Sequence, residues 1–208
     1  MKRVRLAFLC ALAVVAGACG GGGGKATYSV GKLADAVVQQ SEAPKGTVLV
    51  GQASGQLDID RFPSDASEKR ALREHNFQGA QQAVYITPAL QSGGAPPPHA
   101  SQVGSFAVVF EDVSDARKMY DFYKQDWLPT RLEGEESLPD PDFGQASFGN
   151  RFSSFTLAPF PGVAYMWRDD NAVFAVLRAS PERLETTPGQ VLALGKAMES
   201  RAQKAKED

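Results

Sequence analysis

The stretch Val103-Gly-Ser-Phe-Ala-Val-Val-Phe110, followed by Glu111-Asp-Val-Ser-Asp-Ala-Arg-Lys-Met-Tyr-Asp-Phe-Tyr-Lys-Gln-Asp-Trp127, decides the fold. Side chains alternate across a strand, so Phe106, Val108 and Phe110 share one face while Ala107 and Val109 share the other. Both faces are apolar, the mark of a strand buried on both sides near the centre of a sheet. The helix that follows is predicted to be capped by Ser114. Ala116, Met119, Tyr120, Tyr123 and Trp127 stand at helical spacing and make one buried stripe. Pro129 closes it.

Toward the C-terminus, residues 133–143 are acidic and carry prolines, which predicts a loop. Strands are predicted over 152–157, 163–168 and 173–178. Asp169-Asp-Asn171 lies between the last two, and Asp and Asn tolerate the positive φ of a tight hairpin. Thr187-Pro-Gly-Gln190 opens a final helix, with Thr as N-cap, Pro at the first helical position and Gln three residues past the cap. Val191, Leu194, Met198 and Ala202 form its inner face, and residues 201–208 read as a charged, fraying tail.

Toward the N-terminus, Leu33, Ala34, Val37 and Val38 fall at helical spacing, so 30–40 is predicted helical until Pro44 and Gly46 break it. Residues 47–50 read as a short strand and 51–62 as loop. Asp65-Ala-Ser-Glu68 has the spacing of a capping box, in which each acidic side chain satisfies a free N–H of the first turn. A helix over 66–75 follows, with Ala71, Leu72 and His75 inward. A strand over 82–87 ends at Pro88, and Ser92-Gly-Gly-Ala-Pro-Pro-Pro98 is an irregular linker. The succession predicts an α+β domain: a mostly antiparallel sheet with helices packed on one face. It spans 29–204, with halves at 29–98 and 99–204.

The chain begins differently. Lys2, Arg3 and Arg5 precede an apolar run, small residues, Cys19 and five glycines. Such a basic, apolar and small-residue order marks an export signal. The apolar run is shorter than the roughly 20 residues that span a bilayer. Ala16-Gly17-Ala18-Cys19 resembles a bacterial lipoprotein lipobox, departing from it at Ala16, where Leu is commonest. The resemblance implies a signal over 1–18 and acyl chains such as palmitate carried on Cys19. It also implies a Gly-rich tether over 19–28 and a place on the extracytoplasmic face of the cell membrane. Cys10 leaves with the signal, so no disulfide is expected.

A second resemblance rests on the strand Ser105-Phe-Ala-Val-Val-Phe-Glu-Asp112, the helix after it, the hairpin around Arg168-Asp-Asp-Asn171 and the closing helix. Together they look like a loose group of uncharacterised lipoproteins from high-GC bacteria. That group often has Arg-x-Gly-Asn at the hairpin. This resemblance implies a fold and an address but no activity.

The chain carries 22 basic and 24 acidic residues, a net charge of −2, and three of the cations leave with the signal. A mildly acidic domain argues against nucleic acid as a partner. The residues at 144–149, Gly-Gln-Ala-Ser-Phe-Gly, lack the G-x-S-x-G spacing of a nucleophile elbow and read as a turn. His75 and His99 stand alone, whereas a zinc site needs several ligands at set spacing. Glu133, Glu135, Glu136, Asp140 and Asp142 lack the ordered series of a calcium loop and read as solvated. No catalytic residue, metal or cofactor is expected.

The aromatic second half reads mainly as core. Part of it is expected to line a ligand groove: Trp127, Phe155, Tyr165 and Trp167, with Arg151 and Arg168 as polar partners. These features predict a membrane-anchored, non-enzymatic lipoprotein that binds a small apolar or amphipathic ligand or an envelope protein. The alternatives are an envelope hydrolase using carboxylates such as Asp169 or Glu111, and a structural accessory subunit.

Overall fold

A computed structural model describes residues 26–207 except 63–64, 92–95, 98, 156–159 and 183–185. The proposed signal, the lipobox and the glycine run therefore lie outside the described residues. So do most of the Ser92–Pro98 linker and the end of the strand expected over 152–157.

The strands are β1 (Val48–Leu49), β2 (Gly55–Leu57), β3 (Phe77–Ile86), β4 (Gln102–Phe110), β5 (Leu132–Glu133), β6 (Glu136–Leu138), β7 (Ala146–Phe152), β8 (Ser154–Phe155), β9 (Gly162–Asp169) and β10 (Ala172–Ala179). The helices are α1 (Ala66–Glu74), α2 (Pro88–Gln91), α3 (Val113–Phe122) and α4 (Pro188–Glu207). Eight strands form one antiparallel sheet in the order β1-β3-β4-β10-β9-β7-β6, with β2 also on β3. β5 and β8 make a separate ladder. The expected α+β class with a mostly antiparallel sheet is what forms. β3 from the first half pairs along its length with β4 from the second, so the two halves are one domain.

β4 sits inside the sheet with apolar packing on both faces, as its alternation demands. Val103, Ala107 and Val109 join one apolar cluster, and Val108 and Phe110 join another. The two clusters lie on opposite faces. One holds α4 through Val191, Met198 and Ala202, packed on Trp167, Phe174 and Val176. The other holds α1 and α3 through Leu72, Ala116, Met119 and Tyr120, packed on Met166 and Val173. The expectation that helices share one face is thus corrected. Periodicity names the inner side of a helix but not the side of the sheet it meets.

Local signals hold with some shifts. Thr187 and Gln190 cap α4 reciprocally, Thr187 N to Gln190 Oε1 at 3.0 Å and Gln190 N to Thr187 Oγ1 at 3.3 Å. α3 is capped by Asp112, not Ser114, because Asp112 Oδ1 accepts from Asp115 N at 2.9 Å. Its stripe continues through a π-helical turn, Tyr123–Trp127, and every predicted stripe residue is buried. The β9–β10 hairpin turns on Asp170, at φ 46°.

Several expectations are corrected. The helix over 30–40 is a single 3-10 turn, Gly31–Leu33. The carbonyls of Asp35 and Val37, which a helix would use internally, accept from the Arg201 guanidinium, and Val38 N donates to Ser105 Oγ. The loop over 51–62 contains β2, and that over 133–143 contains β6; each is too short for a readable period. The turn expected over 144–149 is confined to Gly144 and Gln145, and β7 starts at Ala146. A Cβ on Gly149 would stand 2.3 Å from the Tyr165 ring, so glycine there makes room for a cross-strand aromatic. The domain begins before 29: Thr27 N and Tyr28 N both donate to Asn171 Oδ1. Within the described residues the tail is helical rather than frayed. α4 runs to Glu207, Arg201 clasps Glu42, and Lys206 bridges Asp169 and Asp170 at 2.6 and 2.9 Å.

Candidate functional site

The α4 face of the sheet is sealed, but the α1–α3 face is not. On the latter, Val84, Phe106, Phe148, Ala164, Ala175 and Leu177 are only partly buried. α3 crosses β4, β9 and β10 and covers one end of this face. The other end is left as an apolar pocket of about 120 Å³. Its walls come from the sheet through Phe106, Met166 and Leu177, and from the cover through Phe62, Trp127 and Phe155. An apolar cavity of roughly 150 Å³ is enough to stay dry and hold benzene. The space here matches one ring or a short alkyl segment, with an open side for the rest of a molecule.

One charged side chain lines the pocket. Glu68 is 2% exposed and lies on the inner stripe of α1 with Ala71 and Leu72. Tyr123 Oη–H donates to its Oε1 and Trp127 Nε1–H to its Oε2, both at 2.9 Å. The capping-box reading is therefore half right. Asp65 does cap α1, accepting from Glu68 N at 2.8 Å, but the Glu68 carboxylate faces inward instead of returning to the cap.

Burial pushes the Glu68 carboxyl up to about 7. The Tyr123 and Trp127 hydrogen bonds and the nearby Arg131 pull the other way without overcoming it. Arg131 lies over the Trp127 ring at 4.5 Å and pairs with Asp65, so the cation nearest the pocket is engaged on the cap. The Tyr123 hydroxyl is held well above its ordinary range, first by burial and then by Glu68.

The expected groove residues divide along the strand alternation. Trp127 and Phe155 line the pocket. Tyr165 borders it, but its ring packs on Phe143 in the opposite cluster. Trp167 is fully buried on the α4 face, stacked on Phe174 at 5.3 Å. Arg151 pairs with Glu136 at 3.2 Å beside a separate, more polar opening of about 420 Å³. That opening lies along the β6–β7 edge, with its arginine already matched. Arg168 is buried at the hairpin end of β9, and its Nη1 donates to Gln145 Oε1. Burial, with Arg117 adding to it, pulls its pKa down. Neither arginine is a polar partner for the pocket.

Sequence reasoning missed Glu68, Phe62, Phe106 and Leu177. One signal was available: Glu68, Ala71, Leu72 and His75 stand at i, i+3, i+4 and i+7, which places an acid on the buried stripe of an amphipathic helix. His75 itself is the partly buried C-cap of α1, and His99 is exposed. Among the described residues, no group of three or more His, Cys, Asp or Glu is placed to hold a metal ion.

The carboxylates weighed for hydrolysis do not face an open cleft together. Glu111 is exposed. Asp169 is buried, accepts from Tyr28 Oη at 2.6 Å and Gln203 Nε2 at 2.9 Å, and shares Lys206 with Asp170. Burial works against ionisation of Asp170, but the hydrogen bond and charge of Lys206, with hydrogen bonds from Thr27 and Gln145, together override it and hold that carboxyl below the usual range.

No protein-family profile matches this chain, and no curated protein matches it. Among solved structures it is similar to the extracellular domain of PknH from Mycobacterium tuberculosis. The TM-score is 0.55 at 11% identity, over 87% of this chain and 100% of that one. At that identity the likeness is one of fold. No helix among the described residues is long and apolar enough to cross a membrane.

Proposed function

We propose that this chain is a lipid-anchored protein of the cell envelope whose domain binds a small apolar or amphipathic ligand in the Glu68 pocket. The carrying observation is the contrast between a sealed face and an open one: apolar residues of the sheet remain uncovered around one buried acid. Pockets of this kind, apolar with few polar groups, are what ligand sites are built from. The leader, with Cys19 behind Ala-Gly-Ala, supports lipid attachment on the extracytoplasmic face of the cell membrane. The likeness in fold to an extracellular domain supports the same address. A binding role is favoured over hydrolysis because Asp169 is committed to Tyr28 and Lys206.

Two experiments test this. Cys19→Ala is expected to abolish incorporation of labelled fatty acid and release the protein from membranes; retention on membranes would refute the anchor. Native mass spectrometry of residues 20–208, purified from the native host without detergent, is expected to show a small-molecule adduct. Its loss in Ala175→Phe, which fills the pocket from β10, would locate it there. An adduct unchanged by that substitution would refute the pocket.

A further inference from the structure

The pocket is lined mainly by apolar side chains with the neutral Gln82, Gln102 and Ser105 among them; its one charged side chain is the exception that sets a chemical requirement. The exception, Glu68, has both carboxylate oxygens engaged, by Tyr123 and Trp127. Each oxygen still has a second lone pair, so the group accepts further hydrogen bonds. Arg131 is the cation nearest this acid, and it is turned to Asp65 and stacked on Trp127, outside the residues that line the cavity. An anionic head would meet Glu68 with no cation in the lining to offset it. A hydrogen-bond donor, above all a protonated amine, would meet its complement in a place where water does not compete.

Resting on the ligand-binding reading above, we infer that Glu68 is the specificity-determining residue of the pocket, selecting an apolar ligand that carries an amine or hydroxyl donor and rejecting one that carries a carboxylate. The cavity, about 120 Å³, takes a ring or a short alkyl segment beside that donor, and the open side accommodates a longer chain. The groups facing Glu68 are Tyr123 and Trp127 from the end of the α3 helix, Arg131 from the segment after it and Asp65 at the start of its own helix. Tyr123 and Trp127 donate to it in either case, so its state is set by pH and by the ligand. Raising pH through about 7 ionises Glu68 and strengthens its demand for a cation over a neutral donor.

The test is a matched series on soluble residues 20–208, which contain every described strand, helix and core residue. Decylamine, 1-decanol and decanoate share one chain and differ in the head. Binding is read by calorimetry and by the fluorescence of Trp127, whose indole N–H is bonded to Glu68. The expected result near neutral pH is that decylamine binds tightest and decanoate at least roughly tenfold weaker than decylamine, with Glu68→Gln reducing that gap to within about threefold. In wild type, the preference for decylamine over decanol should widen as pH rises through about 7, which keeps the idea testable if Glu68→Gln does not fold. Decanoate binding as tightly as decylamine, or a gap that survives Glu68→Gln, would overturn the inference while leaving the pocket as a binding site. Failure of all three probes to bind would overturn the ligand-binding reading itself.

Discussion

Met166 and Trp167 are neighbours on β9, yet they face opposite conditions. Trp167 looks toward α4 and is locked between Phe143 and Phe174, with ring centroids 5.1 and 5.3 Å away. Met166 looks toward α3 and borders the pocket. The same contrast runs along β10, where Val176 is fully buried and Ala175 and Leu177 on either side are not. One face has a 20-residue helix and an N-terminal segment to cover it. The other has the nine residues of α1 and the ten of α3 with its π-helical turn, and these leave part of the sheet bare. A sheet can thus keep stability on one face and binding surface on the other, because alternation lets each side chain serve one side only.

Stability should divide accordingly. Trp167→Ala removes a fully buried ring from the sealed face and should cost about 4 kcal/mol, read by denaturant unfolding, without changing what the pocket binds. A cost near that of a surface residue would break the comparison.

Glu68 supplies the next effect, through pH. Its carboxyl is raised to about 7 in the folded protein, so it is protonated there while the unfolded chain is already ionised. The unfolded state binds fewer protons between about pH 4.5 and 7, and stability falls as pH rises through that window. The loss is at most about 3 kcal/mol. Glu68→Gln should flatten the profile, and thermal melts across that range will show whether it does. A wild-type profile that instead rises there, with no contribution lost in the variant, would mean the acid is not buried as described.

Leu177→Ala sharpens the contrast from the other side. Leu177 is only partly buried, so its loss should cost about 1 kcal/mol of stability. It should nonetheless weaken decylamine binding several-fold, because Leu177 is a wall of the pocket. Equal stability costs for Leu177→Ala and Trp167→Ala would mean that both faces are sealed.

Much of this frame was legible in the sequence. The alternation from Val103 to Phe110 gave a central strand with two apolar faces, and the spacing from Ala116 to Trp127 gave the buried stripe of α3. The Thr187–Gln190 capping box gave the start of α4, because capping is a local matter of one side chain and one N–H. What stayed hidden is relational. Nothing in Val191, Met198 and Ala202 says which face of the sheet they meet. The groove set mixed Tyr165 and Trp167, which share the α4 face of β9, with Phe155 and Trp127, which belong to the cluster on the other face. Glu68 carried two signals at once, a cap by its spacing and a buried acid by its place on the stripe. Burial against Tyr123 and Trp127, 55 and 59 residues away in sequence, decided between them.

The central claim is that empty apolar space lies on the α1–α3 face and not on the α4 face. Diffraction from crystals of residues 20–208 pressurised with xenon tests it most directly, because xenon enters dry apolar cavities irrespective of head-group chemistry. The account predicts xenon among Phe106, Met166, Leu177 and Trp127, and none between Trp167 and α4. Xenon beside Trp167, or a pocket that takes up none, would contradict it.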